Sequence, residues 1–260
     1  MMIKTLLQKY VLFTLLFMLL LASALQVTAE TQENENQNEK NLELVHELRY
    51  IENEPGVGEY VVKMLVSDRY IRIDEAGDGS GFIVYDDKKK IIYSVSHHEQ
   101  SVLVINEHKF TDENSPAKFN IEYLQLSDAP SVSGNTVFNY RAYAGHGDAE
   151  VTCTEIQLVE NLLPEVRELL KNYQKVISGQ HVKMADNKIT DVQTACYFVD
   201  QIYNTGAYYE KGLPIQEWHS NDRSKTLTSF KEVTVDRDKF NVPESYHQFF
   251  IDSNSKTFIK

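Results

Sequence analysis

Between Tyr60 and Ile105 the chain divides into five short runs of β-branched and aromatic residues, each closed by a polar or glycine-bearing turn. Val62, Met64 and Val66 alternate with other side chains, and the same period of two continues through Ile71/Ile73, Phe82/Val84 and Ile92/Ser94. A period of two places alternate side chains on opposite faces of an extended backbone, which a helix cannot do. The intervening Ser67-Asp68, Gly77 to Gly81, Asp86-Asp87-Lys88 and His97 to Gln100 carry turn chemistry. This block therefore predicts antiparallel strands paired in sequence order.

The N-terminus constrains the compartment. Lys4 and Lys9 precede an unbroken apolar stretch from Val11 to Leu25, and Val27-Thr28-Ala29 supplies small or short residues where a signal peptidase reads. Residues 1–29 are expected to be a cleaved signal peptide and residues 30–41 a disordered polar leader. The competing reading is an uncleaved membrane anchor, since the apolar stretch approaches the ~20 residues that span a bilayer. The expected location is the periplasm or the exterior, with a mature form that does not span the membrane. No cysteine follows the apolar core, which argues against a lipid-anchored precursor.

The whole chain has a net charge of −12; losing Lys4 and Lys9 leaves 24 basic against 38 acidic residues, or −14. Such a charge disfavours nucleic acid and anionic lipid headgroups as partners. The two cysteines, Cys153 and Cys196, both lie in the exported part. In an oxidising compartment they are expected to form one disulfide, worth ~4 kcal/mol by chain entropy before strain. Two buried free thiols are the alternative.

Leu42, Leu44, His46, Leu48 and Tyr50 alternate as a first strand, with His46 in the apolar register as a packed neutral side chain. Further strands are expected over Phe119 to Leu124, Val137 to Tyr143, Val151 to Glu160, Pro214 to His219 and Leu227 to Val235, with a short terminal segment at Phe249 to Ile251. Gly145-His146-Gly147-Asp148 reads as a hairpin turn. From Leu162 the period becomes helical. Val166, Leu169, Leu170, Tyr173, Val176 and Ile177 fall on one face, with Pro164 in the first turn and Gly179 just past the end. Val192, Ala195, Cys196, Val199, Ile202 and Tyr203 repeat these spacings in a second helix from Asp191 to Tyr203, capped by Thr190 or Asp191. Residues 42–260 are expected to form a single β-rich domain.

The sequence contains no Gly-x-Ser-x-Gly elbow, phosphate-binding glycine loop, His-Glu-x-x-His or paired cysteine knuckle. The protein is accordingly expected not to be an enzyme, and no catalytic residue, cofactor or metal ligand is assigned. His97-His98-Glu99 is the most ligand-like cluster, and a solvated turn explains it better than zinc or copper. The acidic residues Asp74, Asp78, Asp86 and Asp87 lack the spacing of a calcium loop. The tyrosines and phenylalanines at strand positions read as ordinary core before they read as an acyl-chain site.

The block Arg72-Ile73-Asp74, Gly77 to Gly81, Phe82 to Asp86 and Ile91 to Val95, with Asp236 to Tyr246 as a closing segment, resembles the LolA/LppX-like periplasmic superfamily and related secreted domains of unknown function. The resemblance implies an α+β fold: a curved, incompletely closed antiparallel sheet, or half-barrel, with two amphipathic helices on its concave face. The hollow between them would be lined by Val166, Leu169, Leu170, Tyr173, Val192, Val199, Ile202 and Tyr203. It would receive a lipid or a lipoprotein acyl chain; the alternative is an envelope protein-interaction or stress-sensing module without a small ligand. The cysteine pair and the two neighbouring helices lie outside the marks of the lipoprotein carrier itself.

Overall fold

The computed structural model describes residues 41–74, 81–111, 115, 117–145, 150–185 and 194–250. The expected signal peptide, the leader as far as Lys40, the glycine turn at Gly77, the turn at His146 to Asp148, the caps Thr190 and Asp191, Val192 and Ile251 lie outside the described residues. The chain divides into two compact units, one of Met1–Glu43 with Asp236–Asp238, the other of Leu44–Val235 with Lys239–Lys260. Within the small unit Asn41 donates to the Asp236 carboxylate and Arg237 reaches Glu43 at 3.9 Å.

The strands are β1 (Leu42–Glu54), β2 (Gly58–Val66), β3 (Tyr70–Asp74), β4 (Gly81–Asp86), β5 (Ile91–Ser96), β6 (Ser101–Asn106), β7 (Phe119–Gln125), β8 (Val137–Ala144), β9 (Val151–Val159), β10 (Leu213–His219), β11 (Ser224–Asp236) and β12 (His247–Phe250). Among the described residues they form one sheet in the order β12-β6-β5-β4-β3-β2-β1-β11-β10-β9-β8-β7. The expected meander is present from β2 to β6, and β1 pairs with β2 to extend it. A second meander enters at the far edge with β7 and returns through β8 to β11, meeting the first where β11 neighbours β1. The sheet is thus larger than the expected half-barrel. It is also not wholly antiparallel, because β12 pairs parallel to β6.

In β4 the apolar side chains serve both faces. Phe82 and Val84 pack with Val95, Val102 and Val104, while Tyr85 belongs to the main core with Leu48, Met64 and Ile92. Asp86 ends the strand and explains the Tyr-Asp pair of the sequence block. Its carboxylate accepts from Arg69 Nε and Nη2 at 3.0 and 2.7 Å, and from the backbone N–H of Lys88 and Lys89. Burial opposes ionisation of Asp86, yet Arg69 and the turn amides hold its carboxyl below the usual range. The next residue ties this turn to the helical layer: Asp87 accepts from Tyr85 at 2.9 Å and from Asn172 at 3.0 Å.

One expectation about β1 is corrected. Leu42 and Leu44 are exposed, while Val45 is buried against Leu65 and Phe240 on the opposite face. The alternation does hold from Leu48 to Tyr50. The His46 side chain is 19% exposed, and its Nε2 meets Glu165 at 3.1 Å.

The first helix, α1, spans Pro164–Ala185. It begins with Pro164 as expected but continues beyond Gly179, which is an interior residue. A Cβ there would lie 2.2 Å from the His108 carbonyl oxygen, so glycine is required by the close approach of another segment and not as a stop. The second helix is also corrected. Among the described residues α2 is only Ala195–Phe198, capped by the Thr194 hydroxyl, and it passes directly into a π-helical turn, Val199–Tyr203. A 3-10 turn, Ala207–Glu210, follows.

One apolar cluster contains Leu48, Tyr50, Val62 and Met64 from the first meander and Tyr140, Ile156 and Leu158 from the second. It also takes in Val166, Leu169, Leu170 and Val176 from α1. Strands from both meanders therefore bury the same helix. A disulfide, Cys153–Cys196, joins β9 to α2. Strand pairing between β8 and β9 skips from Thr154 to Thr152, which makes Cys153 the extra residue of a bulge.

Candidate functional site

The side chains on the helix-bearing face leave space. A cavity of about 700 Å³ lies among β1 to β4, α1, the π-helical turn and β10–β11. Its size is that of a small-molecule site. Val62, Met64, Ile73 and Ile83 from β2 to β4, with Leu170 and Ile177 from α1, give it an apolar part.

The other part is charged, and β1 shows how one face makes the change. Along its inward register Leu48 and Tyr50, opposite Met64 and Val62, give way to Glu52 opposite Tyr60 and then to Glu54. Lys225 of β11 stands opposite Glu217 of β10 and reaches Glu52 Oε1 at 2.8 Å, its ammonium 4.4 Å above the Tyr50 ring. Arg223 pairs with Glu54 at 2.8 Å. Tyr60 donates to Glu54 at 2.9 Å and to Glu52 at 3.3 Å.

Glu217 and His219 face inward because of a single extra residue. In the β9–β10 ladder Pro214 stands opposite Leu158 and Gln216 opposite Gln157, so Ile215 is unpaired. Beyond it Glu217 pairs with Ile156 and His219 with Thr154, both buried on the core side. An unbroken ladder running on from Pro214 would instead set Trp218 opposite Thr154 and turn both polar residues outward. Pro214 suits this irregularity, as it has no N–H to contribute to a ladder.

Asp200 arrives from the opposite wall. The Asn204 N–H bonds the Val199 carbonyl at 2.9 Å, five residues back, and this widened turn carries Asp200 into the cavity lining. The Thr154 hydroxyl donates to its Oδ1. His219 lies between the two buried carboxylates, Nδ1 3.9 Å from Asp200 and Nε2 3.7 Å from Glu217. Tyr208 donates to Glu217 at 3.3 Å.

These surroundings drive the two carboxyls apart. Burial pushes Asp200 up to about 6, against smaller opposing effects of Thr154, His219 and Ser220. Burial also opposes ionisation of Glu217, but His219, Lys225 and Tyr208 together hold it below the usual range. The cluster can exchange a proton near pH 6 at Asp200, and it presents an ionised carboxylate at Glu217.

Of the residues expected to line a hollow, Leu170 and Tyr173 do so. Val166, Leu169 and Val199 lie in the packed core, and Ile202 is buried. Tyr203 packs edge-on against Phe110. The charged row is not among the features expected from the sequence. Its one trace there is the Glu-Trp-His order of residues 217–219, where an apolar-in alternation would hide the tryptophan and expose its neighbours. Among the described residues no group of three His, Cys, Asp or Glu is placed to hold a metal. His97 bonds the Tyr246 hydroxyl at 2.9 Å and sits beside Phe82.

No family model matches the chain, and no curated protein matches it. Among solved structures it is similar to an uncharacterized conserved protein from Thermus thermophilus. That likeness has 10% identity and a TM-score of 0.36, over 85% of this chain and 99% of that one. It is also similar to PNGF-II, at 10% identity and a TM-score of 0.37, over 81% of this chain and 31% of that one. Likenesses this distant carry no functional argument, and neither protein is named as a LolA or LppX relative.

Proposed function

We propose that this is an exported, non-enzymatic carrier or sensor that holds one amphipathic small molecule. The apolar part of the ligand would lie against Leu170, Ile177 and Met64, and its polar end among the charged side chains of β10 and β11. The cavity of about 700 Å³, apolar on one side and charged on the other, carries this reading. A LolA-like arrangement, with the sheet curved around the helices and an acyl chain between them, is the version that the sequence block suggests. Export to an oxidising compartment is supported by the Cys153–Cys196 bond. Among the described residues no helix is long and apolar enough to cross a membrane.

A second reading, an envelope protein-interaction module, is favoured by the exposed cross-strand pair Ile51 and Val61 next to exposed Val57. The two readings separate on uptake of N-phenyl-1-naphthylamine, an uncharged apolar fluorophore. The carrier reading predicts saturable uptake of one probe per chain, weakened at least several-fold in folded Leu170→Trp and Ile177→Trp variants. No uptake by the wild-type protein, or unchanged uptake in both folded variants, puts the interaction module in front.

A further inference from the structure

We infer that the polar end of the ligand is a protonated amine. This rests on the cavity reading above and names the ligand class for it. Ionised carboxylates only accept hydrogen bonds, so a ligand group that meets them favourably supplies donors. The charged wall holds four carboxylates, Glu52, Glu54, Asp200 and Glu217, against two permanent cations. Each cation ion-pairs with one of the first two, Lys225 with Glu52 and Arg223 with Glu54, each at 2.8 Å, and Lys225 also acts on Glu217 from across the ladder without contacting it as an ion pair. The remaining two carboxylates are the most buried, at 7% and 5% exposure, and among the described residues they share one ion-pair partner, His219, at 3.9 and 3.7 Å.

Buried carboxylates are stabilised by a partner that brings both charge and donors, and an ammonium brings one positive charge with three N–H groups. Tyr208 and Tyr209 line the same cavity, and aromatic side chains attract cations. A carboxylate headgroup, such as that of a free fatty acid, would meet like charge there. Asp200 adds a pH dependence. The groups around it are His219 and Glu217 from β10, Ser220 just beyond it, Thr154 from β9, Tyr208 from the 3-10 turn and His181 from α1, which also lines the cavity. Above pH 6 Asp200 is ionised, so amine binding strengthens as pH rises from about 5 to about 7.5.

The experiment is displacement of bound N-phenyl-1-naphthylamine by dodecylamine, dodecanol and dodecanoate, all below their micellar concentrations, at pH 7.5. Dodecylamine should compete at least tenfold better than dodecanoate, with dodecanol between them. Glu217→Gln and Asp200→Asn, each shown to be folded by circular dichroism, should narrow the amine-to-carboxylate ratio several-fold. Probe uptake with dodecanoate competing as well as dodecylamine overturns the amine and leaves the cavity reading standing. So does an undiminished ratio in both variants. A wild-type protein that takes up no probe overturns both.

Discussion

Glu217 stands opposite Ile156 and not opposite Glu155, because Ile215 is an extra residue in β10. Glu155 lies on the other face, paired with Arg141 at 2.8 Å. One unpaired residue therefore decides that an acid and a histidine enter the cavity while the intervening Trp218 points away, 42% exposed.

Trp218 is the only tryptophan in the chain, so it reports this register directly. Its emission should be red-shifted and readily quenched by acrylamide in the native protein. A blue-shifted, poorly quenched emission would place the indole inside, opposite Thr154, and the charged wall as described would not exist.

Asp200 gives a stability prediction whose sign is opposite to that of a paired surface carboxylate. Its folded pKa, about 6, lies above the ordinary aspartate value of 3.8, so the native state binds the proton more tightly than the unfolded chain. The stabilisation from that proton is complete below about pH 4 and is lost as pH rises through 6. The shift corresponds to about 3 kcal/mol. Asp200→Asn keeps an acceptor for Thr154 and removes the cost of ionisation. In urea unfolding it should match the wild type at about pH 4 and exceed it by up to about 3 kcal/mol at about pH 7.5. A variant less stable than the wild type at the higher pH would show that the ionised carboxylate is held by stronger partners than those seen here.

Gly179 sets helix propensity against packing. In an exposed helix interior, glycine to alanine stabilises by ~1 kcal/mol. Here the new methyl would meet the His108 carbonyl oxygen at 2.2 Å and its carbon at 3.1 Å, both backbone atoms that cannot rotate away. The expected result is net destabilisation of about 1–3 kcal/mol in Gly179→Ala, read as a lowered Tm. A raised Tm would mean that the segment at His108 does not press on α1.

The Cys153–Cys196 bond spans 43 residues and fastens α2, and with it the π-helical turn bearing Asp200, to β9. Replacing both cysteines with alanine should lower stability by up to about 4 kcal/mol and weaken probe uptake, since Asp200 loses its nearest covalent anchor. Intact mass should rise by two hydrogens on reduction. Two thiols that alkylate freely in unreduced native protein would contradict the bond.

The meander was legible because its signals are local. Val62, Met64 and Val66 alternate, the turns announce themselves, and β2 to β6 pair with their sequence neighbours. The face of α1 was legible for the same reason, at the spacings of Val166, Leu169 and Leu170. What escaped the sequence were features set by distant contacts. Gly179 carries the composition of a helix end but serves a close approach by His108. The second helical pattern continues through Val199 and Ile202, and no residue type marks the change to a wider turn. The bulge at Ile215 is one residue whose effect is to reverse the facing of all that follow it. For that reason the charged wall, which depends on both the bulge and the wider turn, was the least readable part of the chain.

Native mass spectrometry of the protein, gently extracted from cells that make it, decides whether the cavity holds one amphipathic ligand. The expected spectrum contains a species heavier than the polypeptide by one small molecule, released on collisional activation and carrying an apolar part and a basic nitrogen. A single adduct should also form when dodecylamine is added to the stripped protein. Only the bare polypeptide mass, with no adduct on adding dodecylamine, dodecanol or dodecanoate, would contradict a ligand-holding cavity.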